Sequence, residues 1–228
     1  HTVVVGDEKF ALHLLPSGVI RPDCKCVIAN AVVIDPEVII KSIAMLKEKG
    51  ISLDGRLLIS ENAHVVLDYH KAEDQYRENA LGKQKIGTTA RGIGPCYADK
   101  VGRSYAVRMG DFRDLESLKQ KIAAAVNYKN KIFHALYDAK PIDADEIFNK
   151  CKIYGDKLTQ YVTDTSEFLQ KSITNGKSIL FEGAQGTMLD LDHGTFPYVT
   201  SSNSSAVGLS AASGMPARAL DKLIGGAK

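Results

Sequence analysis

Glycine, hydroxyl and basic residues are concentrated between Lys83 and Arg113, a combination that suits an anionic ligand. The segment carries seven basic residues against two acidic ones, and its centre reads Ile86-Gly-Thr-Thr-Ala-Arg-Gly-Ile-Gly-Pro-Cys-Tyr97. Glycines let backbone N–H groups approach an anion, hydroxyls donate further hydrogen bonds, and Arg or Lys supplies charge. The pattern indicates a phosphate cradle without Walker A spacing. A solvated glycine-rich loop explains the same composition equally well.

A second segment, from Phe181 to Asn203, carries amide, hydroxyl and carboxylate groups directly after an apolar run. The Gln185 amide can offer both a donor and an acceptor to a purine edge. Thr200 begins a hydroxyl run that ends at Ser205. That run either binds an anion at the start of a helix near Ala206 or simply caps the helix.

Three further polar groups in this segment, Asp190, Asp192 and His193, fit either a metal site or a base dyad. Loops of this composition more often use such side chains to stabilise turns. We therefore interpret all three as structural and predict no metal ligand within the chain. The isolated histidines His64, His70 and His134 are interpreted as ordinary core or surface residues.

Alternating strand and helix patterns must position these segments. Cys26 to Ile34 is a nearly continuous apolar run, which predicts a strand buried on both faces. Asp35-Pro36-Glu37 then begins a helix that ends at Gly50. We also predict a hairpin over Thr2–Val5 and Phe10–Leu14, strands over Arg56–Ile59 and Ser178–Phe181, and helices within His64–Asn79, Leu115–Leu136 and Asp143–Gln170. This order predicts an α/β fold with a mainly parallel sheet and flanking helices.

The totals favour one domain, 1–228, and argue against several classes of protein. The chain has 228 residues, 44% hydrophobic and 25% charged, with a net charge of +2. That balance gives no support to binding of nucleic acid or a membrane surface. Neither a membrane-spanning run nor a secretory signal is visible, so we expect a cytoplasmic protein. The spacing of Cys24, Cys26, Cys96 and Cys151 indicates reduced thiols.

The ends suggest that this domain is incomplete. The chain opens on His1 rather than methionine and enters a strand pattern at once. It stops within an amphipathic run that begins at Leu220. We therefore expect truncation at both ends.

Taken together, these segments resemble the adenylosuccinate synthetase family. Gly92-Ile-Gly-Pro-Cys-Tyr-Ala-Asp-Lys-Val-Gly-Arg103 matches that family's Gly-Ile-Gly-Pro-x-Tyr-x-x-Lys-x-x-Arg motif at every fixed position. Phe181-Glu-Gly-Ala-Gln-Gly-Thr, Asp192-His-Gly-Thr-Phe-Pro-Tyr-Val-Thr-Ser-Ser-Asn203 and Leu12-His-Leu-Leu-Pro-Ser-Gly18 match further family stretches. The resemblance implies a fold like that of the P-loop GTPases and a chain covering about half of a family member.

The same resemblance implies a ligase that uses GTP and Mg²⁺ to join L-aspartate to inosine monophosphate (IMP). By motif, His1 corresponds to the catalytic histidine, and Thr2 follows it at the GTP phosphates. Thr89 and Thr200 correspond to donors to the 5′-phosphate of IMP, and Gln185 to the residue beside its 6-oxygen. Arg103 corresponds to an arginine that reaches the partner's IMP site in a homodimer. The role of Lys100 stays open.

Several family features differ or are missing. Ala90 and Val207 stand where glycine is usual, and both changes are expected to stiffen their loops. The Gly-Asp-Glu-Gly-Lys-Gly-Lys loop, which holds the family's aspartate base, has no counterpart in these 228 residues. Nor do the segments that bind aspartate and read guanine. We therefore expect the chain alone to be inactive, and two alternatives stay open: a non-catalytic purine-nucleotide-binding module and a generic α/β interaction domain.

Overall fold

Short parallel strands form the centre of the molecule in a computed structural model that describes residues 2–84 and 87–226. In chain order the strands are β1 (Thr2–Val5), β2 (Glu8–Ala11), β3 (Cys26–Ile28), β4 (Val33–Ile34), β5 (Leu57–Ser60), β6 (His64–Val65) and β7 (Val162–Thr163). β5 lies between β3 and β7, β4 pairs with β6, and all of these pairings are parallel. β1 and β2 form the predicted hairpin, which turns at Gly6 with φ +58°, but its second strand runs over Glu8–Ala11 rather than the predicted Phe10–Leu14.

The predicted strand from Cys26 to Ile34 is interrupted. Cys26 lies opposite Leu57 and Val33 lies opposite His64, so the same register resumes after a break. Both paired segments turn at matching positions. In one, Val32 N–H donates to the Ala29 carbonyl, and in the other, Ala63 N–H donates to the Ser60 carbonyl. Apolar character alone cannot reveal such a break, because the residues on either side are buried whether or not the ladder continues.

Helices cover the strands and supply most of the core. They are α1 (Pro36–Glu48), α2 (Asp68–Leu81), α3 (Ile93–Gly102), α4 (Leu115–Tyr137), α5 (Ala144–Leu158), α6 (Thr165–Thr174) and α7 (Leu209–Ser213). The predicted cap of α1 is confirmed, since Asp35 Oδ1 accepts from the backbone N–H of Glu37 at 3.0 Å. The predicted α4 stripe is also confirmed, and Leu118, Ile122 and Ala125 are fully buried.

Two helix predictions need correction at their boundaries. The predicted helical region from Asp143 to Gln170 breaks after α5, because Val162 and Thr163 pair with β5 as β7. Asp164 then caps α6, accepting from Glu167 N–H at 3.0 Å. The predicted helix from His64 also starts later, because His64 and Val65 form β6. In both places β-branched residues complete a sheet, and tertiary pairing overrides the helical pattern.

The predicted buried strand over Ser178–Phe181 was wrong. These residues form no strand, and the Leu180 side chain is 82% exposed. A strand is stable only when its backbone groups are paired, and no described strand pairs with this segment. Within the described part of the chain, no helix is both long enough and apolar enough to span a bilayer.

Candidate functional site

The loop between β3 and β4 brings the sequence motifs to the carboxyl edge of the sheet. The Tyr97 hydroxyl of α3 donates to the Ala31 carbonyl at 2.8 Å. Lys100 Nζ, also on α3, donates to the Asn30 carbonyl at 3.4 Å. From the other side, Ala31 N–H donates to the Ala212 carbonyl of α7 at 3.2 Å. One loop therefore holds both the Gly-Ile-Gly-Pro helix and the helix that follows the hydroxyl run.

The Asn30 side chain ties this loop to the ends of the neighbouring strands. Asn30 Oδ1 accepts from Ser60 Oγ at 2.6 Å and from Thr165 Oγ1 at 3.3 Å, while Asn30 Nδ2 donates to Ser166 Oγ at 3.1 Å. Ser60 is the last residue of β5, and Thr165 and Ser166 follow the carboxyl end of β7. Ligands of open α/β sheets bind beyond this edge. Sequence reasoning missed Asn30, which lies inside the strand predicted from Cys26 to Ile34; a polar residue within that apolar run is the signal that could have revealed it.

The hydroxyl run from Thr200 to Ser205 lies between α3 and the Gln185 loop. On one side, a Cβ atom at Gly94 would lie 3.3 Å from Ser201 Oγ, so the first turn of α3 contacts the run. On the other side, Ser204 Oγ donates to the Gly186 carbonyl at 2.8 Å. Three segments that are distant in sequence therefore meet along this run.

Asp190 organises the loop that leads into the run. Its side chain is fully buried. Oδ1 accepts from the backbone N–H groups of Asp192 at 3.0 Å and His193 at 3.1 Å and from Asn203 Nδ2 at 3.3 Å; Oδ2 accepts from Ser205 N–H at 2.8 Å. The Ser205 hydrogen bond, followed by those from the other donors, holds the pKa of Asp190 well below its usual range. These contacts support the structural interpretation of this carboxylate.

The start of the Gln185 loop is fixed by another family stretch. Glu182 Oε2 accepts from both the backbone N–H of Ser17 at 2.9 Å and its hydroxyl at 2.7 Å. Ser17 belongs to the Leu12-to-Gly18 stretch, whose Leu12 and Leu15 are fully buried. The core thus anchors one end of the loop, and Ser204 contacts the other.

The predicted ligand-binding residues fall in different places around this arrangement. Thr89 lies in the exposed stretch before α3, Gln185 is exposed at the turn of its loop, and Thr200 is half-buried at the start of the run. Thr200 N–H donates to the Leu189 carbonyl at 2.8 Å. Arg103 is exposed at the far end of α3, roughly 16 Å along the helix axis from Gly92.

The two predicted GTP-binding residues lie at the beginning of the chain. Thr2 is the exposed first residue of β1. His1 lies outside the described residues.

Unusual backbone conformations occur in the same segments. Ala90, Arg103 and Gln185 have φ of +52°, +68° and +59°, respectively, in the left-handed region that favours glycine. Asp138 shares this conformation, and both Asp138 and Arg103 directly follow a helix, α4 and α3, where a positive φ is common. Ala90 and Gln185 lie in loops, where a positive φ is strained for a non-glycine residue, and such strain clusters at ligand sites.

Burial, together with positive charge on and near α3, lowers the pKa of His64 and keeps this histidine neutral. Burial, followed by the charges of Lys100 and Arg108, lowers the pKa of His64 to about 4. Burial also lowers the pKa of Lys100, with a smaller contribution from Arg108. His64 is buried and its Nδ1 has no hydrogen-bond partner. A neutral imidazole fits this surrounding, because a second buried charge beside Lys100 would be unpaired.

The described residues do not fit a metal ion. Among residues 2–84 and 87–226, no three His, Cys, Asp or Glu side chains are grouped so that they could hold one. Mg²⁺ requires oxygen ligands at octahedral positions. No step of the chemistry is therefore assigned to a metal held by these residues.

The fold and the converging loops define the chain as an α/β protein with a candidate nucleotide site beyond the carboxyl edge of a parallel sheet. The family model described as adenylosuccinate synthetase matches residues 1–228, and the chain belongs to that family.

Similar proteins bear the same family name. An adenylosuccinate synthetase of Koribacter versatilis is 46% identical over 99% of this chain and 51% of its own length. One of Bifidobacterium adolescentis is 47% identical over the whole chain and 53% of its own length. A solved structure described as a fully ligated adenylosuccinate synthetase from Plasmodium falciparum is 34% identical, with a TM-score of 0.88 over 97% of this chain and 51% of that one.

These comparisons confirm the family and the α/β fold that the motifs predicted. They also show that the chain spans about half the length of the curated relatives it matches. The ligand-binding roles of individual residues stay predictions.

Proposed function

We propose that this chain supplies the IMP-binding part of a GTP-dependent ligase that joins L-aspartate to IMP, giving adenylosuccinate, GDP and phosphate. The observation that carries the proposal is the meeting of three segments at the hydroxyl run. Gly94 of α3 approaches Ser201, and Ser204 donates a hydrogen bond to the Gly186 carbonyl. These contacts bring the Gly-Ile-Gly-Pro helix, the Gln185 loop and the hydroxyl run to one place on the molecule.

Each proposed role follows from the chemistry of the side chain. The Thr89 and Thr200 hydroxyls donate to the 5′-phosphate of IMP, and the Gln185 amide hydrogen-bonds the purine near its 6-oxygen. Loss of the N1 proton makes that oxygen a nucleophile toward the terminal phosphate of GTP. The aspartate amine then displaces the phosphate that the oxygen has received. An amide held beside the 6-oxygen orients it for the first of these steps.

The remaining parts of the proposal come from family membership and motif position. GTP and Mg²⁺ would be held mainly outside the described residues, with His1 and Thr2 at the GTP phosphates. A cytoplasmic homodimer would place Arg103 in the partner's IMP site. Arg103 is exposed at the end of α3 far from Gly92, which supports a contact with a partner subunit rather than with the three segments that meet in its own chain.

A chimera tests the proposal. Residues 1–228 replace the matching part of the Bifidobacterium adolescentis relative, and formation of adenylosuccinate is followed by absorbance. The chimera is expected to turn over. Thr89→Ala should raise KM for IMP by roughly tenfold or more, because a hydrogen bond to a charged phosphate is lost. Gln185→Ala should lower kcat, and Thr174→Ala, an exposed change on α6, should alter neither.

The outcomes separate the alternatives. The relative's own segment, reinserted through the same junctions, must restore activity. If it does while the folded chimera forms no product, the ligase proposal is refuted. Titration of IMP against the 228-residue chain tests the alternative, a non-catalytic purine-nucleotide-binding module. If the chain binds IMP but the chimera does not turn over, the chain is such a module.

A further inference from the structure

A buried network of charged and polar side chains joins α2, α3 and α4 beneath the Gly-Ile-Gly-Pro motif. Lys129 Nζ of α4 lies 2.7 Å from Glu73 Oε2 of α2 and 2.8 Å from Asp99 Oδ1 of α3. His70 Nε2 of α2 lies 3.0 Å from Asp99 Oδ2. These four side chains are only 1–10% exposed. We call them the buried charge network.

The hydrogen bonds define the protonation of the network. His70 Nδ1 accepts from the backbone N–H of Leu67 at 2.9 Å, so the ring proton must lie on Nε2 and point at Asp99. Burial opposes the charge on Asp99, but hydrogen bonds from His70 and Lys129 outweigh it and lower the pKa of this carboxyl. Burial likewise opposes the charge on Lys129, yet its bonds to Asp99 and Glu73 raise its pKa. At the edge of the network, Arg77 pairs with Glu73 at 2.5 Å. The two positive charges of Lys129 and Arg77 therefore balance the two carboxylates.

A second contact fixes the beginning of α3. Gly92 N–H donates to Asp74 Oδ2 at 2.9 Å. A Cβ atom at Gly92 would lie 2.8 Å from the backbone carbon of His70, so the two backbones touch. α3 is thus held against α2 at its first turn and against both neighbours at Asp99.

Stability alone is a poor explanation for this arrangement. Apolar side chains of similar size often pack as well as a buried ion pair, because desolvation offsets the attraction. Charged networks do, however, restrict a helix to one position, since any shift breaks several directional bonds. α3 connects the Thr89 stretch to Arg103, and each flank has a non-glycine residue with a positive φ, Ala90 before the helix and Arg103 at its end.

We propose that the buried charge network is a positioning device that fixes α3, with His70 as a positioning residue. The fixed helix places Thr89 at the phosphate of IMP and Arg103 toward the IMP site of the partner. The inference rests on the proposed function. It extends that function to residues that touch neither IMP nor the reacting atoms.

Two substitutions at His70 distinguish a role in positioning α3 from a general contribution to stability. Asn places its Oδ1 near the site of His70 Nδ1, so His70→Asn keeps the Leu67 contact and loses Asp99. Gln places its Nε2 near the ring Nε2, so His70→Gln keeps the Asp99 contact and loses Leu67. His134→Asn, at a 77% exposed site on α4, is the control.

Amide hydrogen exchange in the 228-residue chain is the first measurement. His70→Asn should speed exchange in α3 at least tenfold while α5 stays protected, and His70→Gln should restore protection. The second measurement uses the active chimera. There, His70→Asn should raise KM for IMP roughly tenfold with KM for GTP unchanged, and His70→Gln should stay within about threefold of the wild type.

Other outcomes overturn the inference. Equal exchange in α3 for both variants means that the Asp99 contact does not position the helix. Faster exchange with an unchanged KM for IMP means that the position of α3 does not matter for the phosphate. An inactive unsubstituted chimera refutes the proposed function instead, and this failure is recognised before any His70 variant is made.

Discussion

Ala90 is a non-glycine residue held at φ +52°, two residues before the Gly-Ile-Gly-Pro motif. A Cβ in this region costs about 1 kcal/mol, whereas glycine adopts it freely. Ala90→Gly should therefore leave the free energy of unfolding unchanged or raise it by up to about 1 kcal/mol, despite the greater entropy of the unfolded chain. Urea denaturation measures the change. Ala98→Gly, exposed within α3, should instead destabilise by about 1 kcal/mol, and equal losses at both sites would contradict the strain at Ala90.

Gln185 shows a different use of strain. It is exposed, left-handed at φ +59°, and follows Glu182, which Ser17 fixes through two hydrogen bonds. The loop therefore forces the residue into a costly conformation while leaving its amide accessible. That combination is expected where a side chain must be aimed rather than packed.

The sequence indicated the proposed ligand-binding residues better than the residues that position them. Thr89, Gln185 and Thr200 stand in glycine-rich or hydroxyl-rich segments, whose composition already suggests anion and purine chemistry. His70 and Lys129 stand alone among ordinary neighbours, and Asp99 lies within the Gly92–Arg103 motif but at a position that the motif does not fix. Their role arises only when helices distant in sequence pack together, and no local pattern encodes that contact.

At the scale of elements, Gly92 determines how α3 packs on α2. It has φ +75°, and an added Cβ would meet the backbone of His70 and Lys71 at 2.8 Å. Gly92→Ala should lower the free energy of unfolding by about 2–4 kcal/mol, because both the backbone strain and the overlap must be relieved by moving the helix. Thermal or urea denaturation measures the loss.

A second glycine of the same helix is the matched control. Gly102 ends α3 with no neighbour within 4 Å of an added Cβ. Gly102→Ala should be neutral or stabilise by up to about 1 kcal/mol, since alanine favours the helix. If Gly92→Ala proved as mild as Gly102→Ala, the close contact between α2 and α3 would be refuted.

The Asp190 loop should depend on pH in a defined direction. Asp190 binds four donors as a carboxylate, so its pKa in the folded chain lies below the ordinary 3.8. A lowered pKa contributes stability that is fully present above the ordinary value and is lost as pH falls through the folded value. Asp190→Asn should therefore destabilise the chain near neutral pH, and its deficit should shrink at about pH 3.

Melting curves of wild type and variant at both pH values measure this deficit. Asp221→Asn, at an exposed carboxylate, is the control and should show no deficit at either pH. A deficit for Asp190→Asn that stays constant with pH would show that the carboxylate charge does not hold the loop.

Elements with strong local signals were predicted well, and those that depend on a distant partner were not. Asp35, Pro36 and Glu37 specify the start of α1 locally, and the structure confirms it. Ser178–Phe181 has the composition of a buried strand, yet no described strand pairs with it and Leu180 is exposed. β7 has only two residues and exists because β5 offers its edge. Local composition cannot determine whether such an edge is available.

At the scale of the whole molecule, many large apolar side chains are exposed from Leu180 onwards. The most exposed are Leu180, Phe196, Val207 and Ile224, at 69–82%. Exposed apolar groups concentrated in this way favour association with another surface. Since the chain spans about half the length of its relatives, the other half of a relative is the surface we expect to cover them in the chimera.

The isolated 228-residue chain should therefore bind an apolar fluorescent dye and self-associate as its concentration rises. Sedimentation measures the self-association, and the chimera should show neither behaviour. The double variant Leu180→Ser, Ile224→Ser should weaken self-association, because both side chains are about four-fifths exposed. Leu136→Ser, at a 67% exposed site on α4, should leave it unchanged. Dye binding that is equal in the chain and the chimera would show that the second half of a relative does not cover this surface.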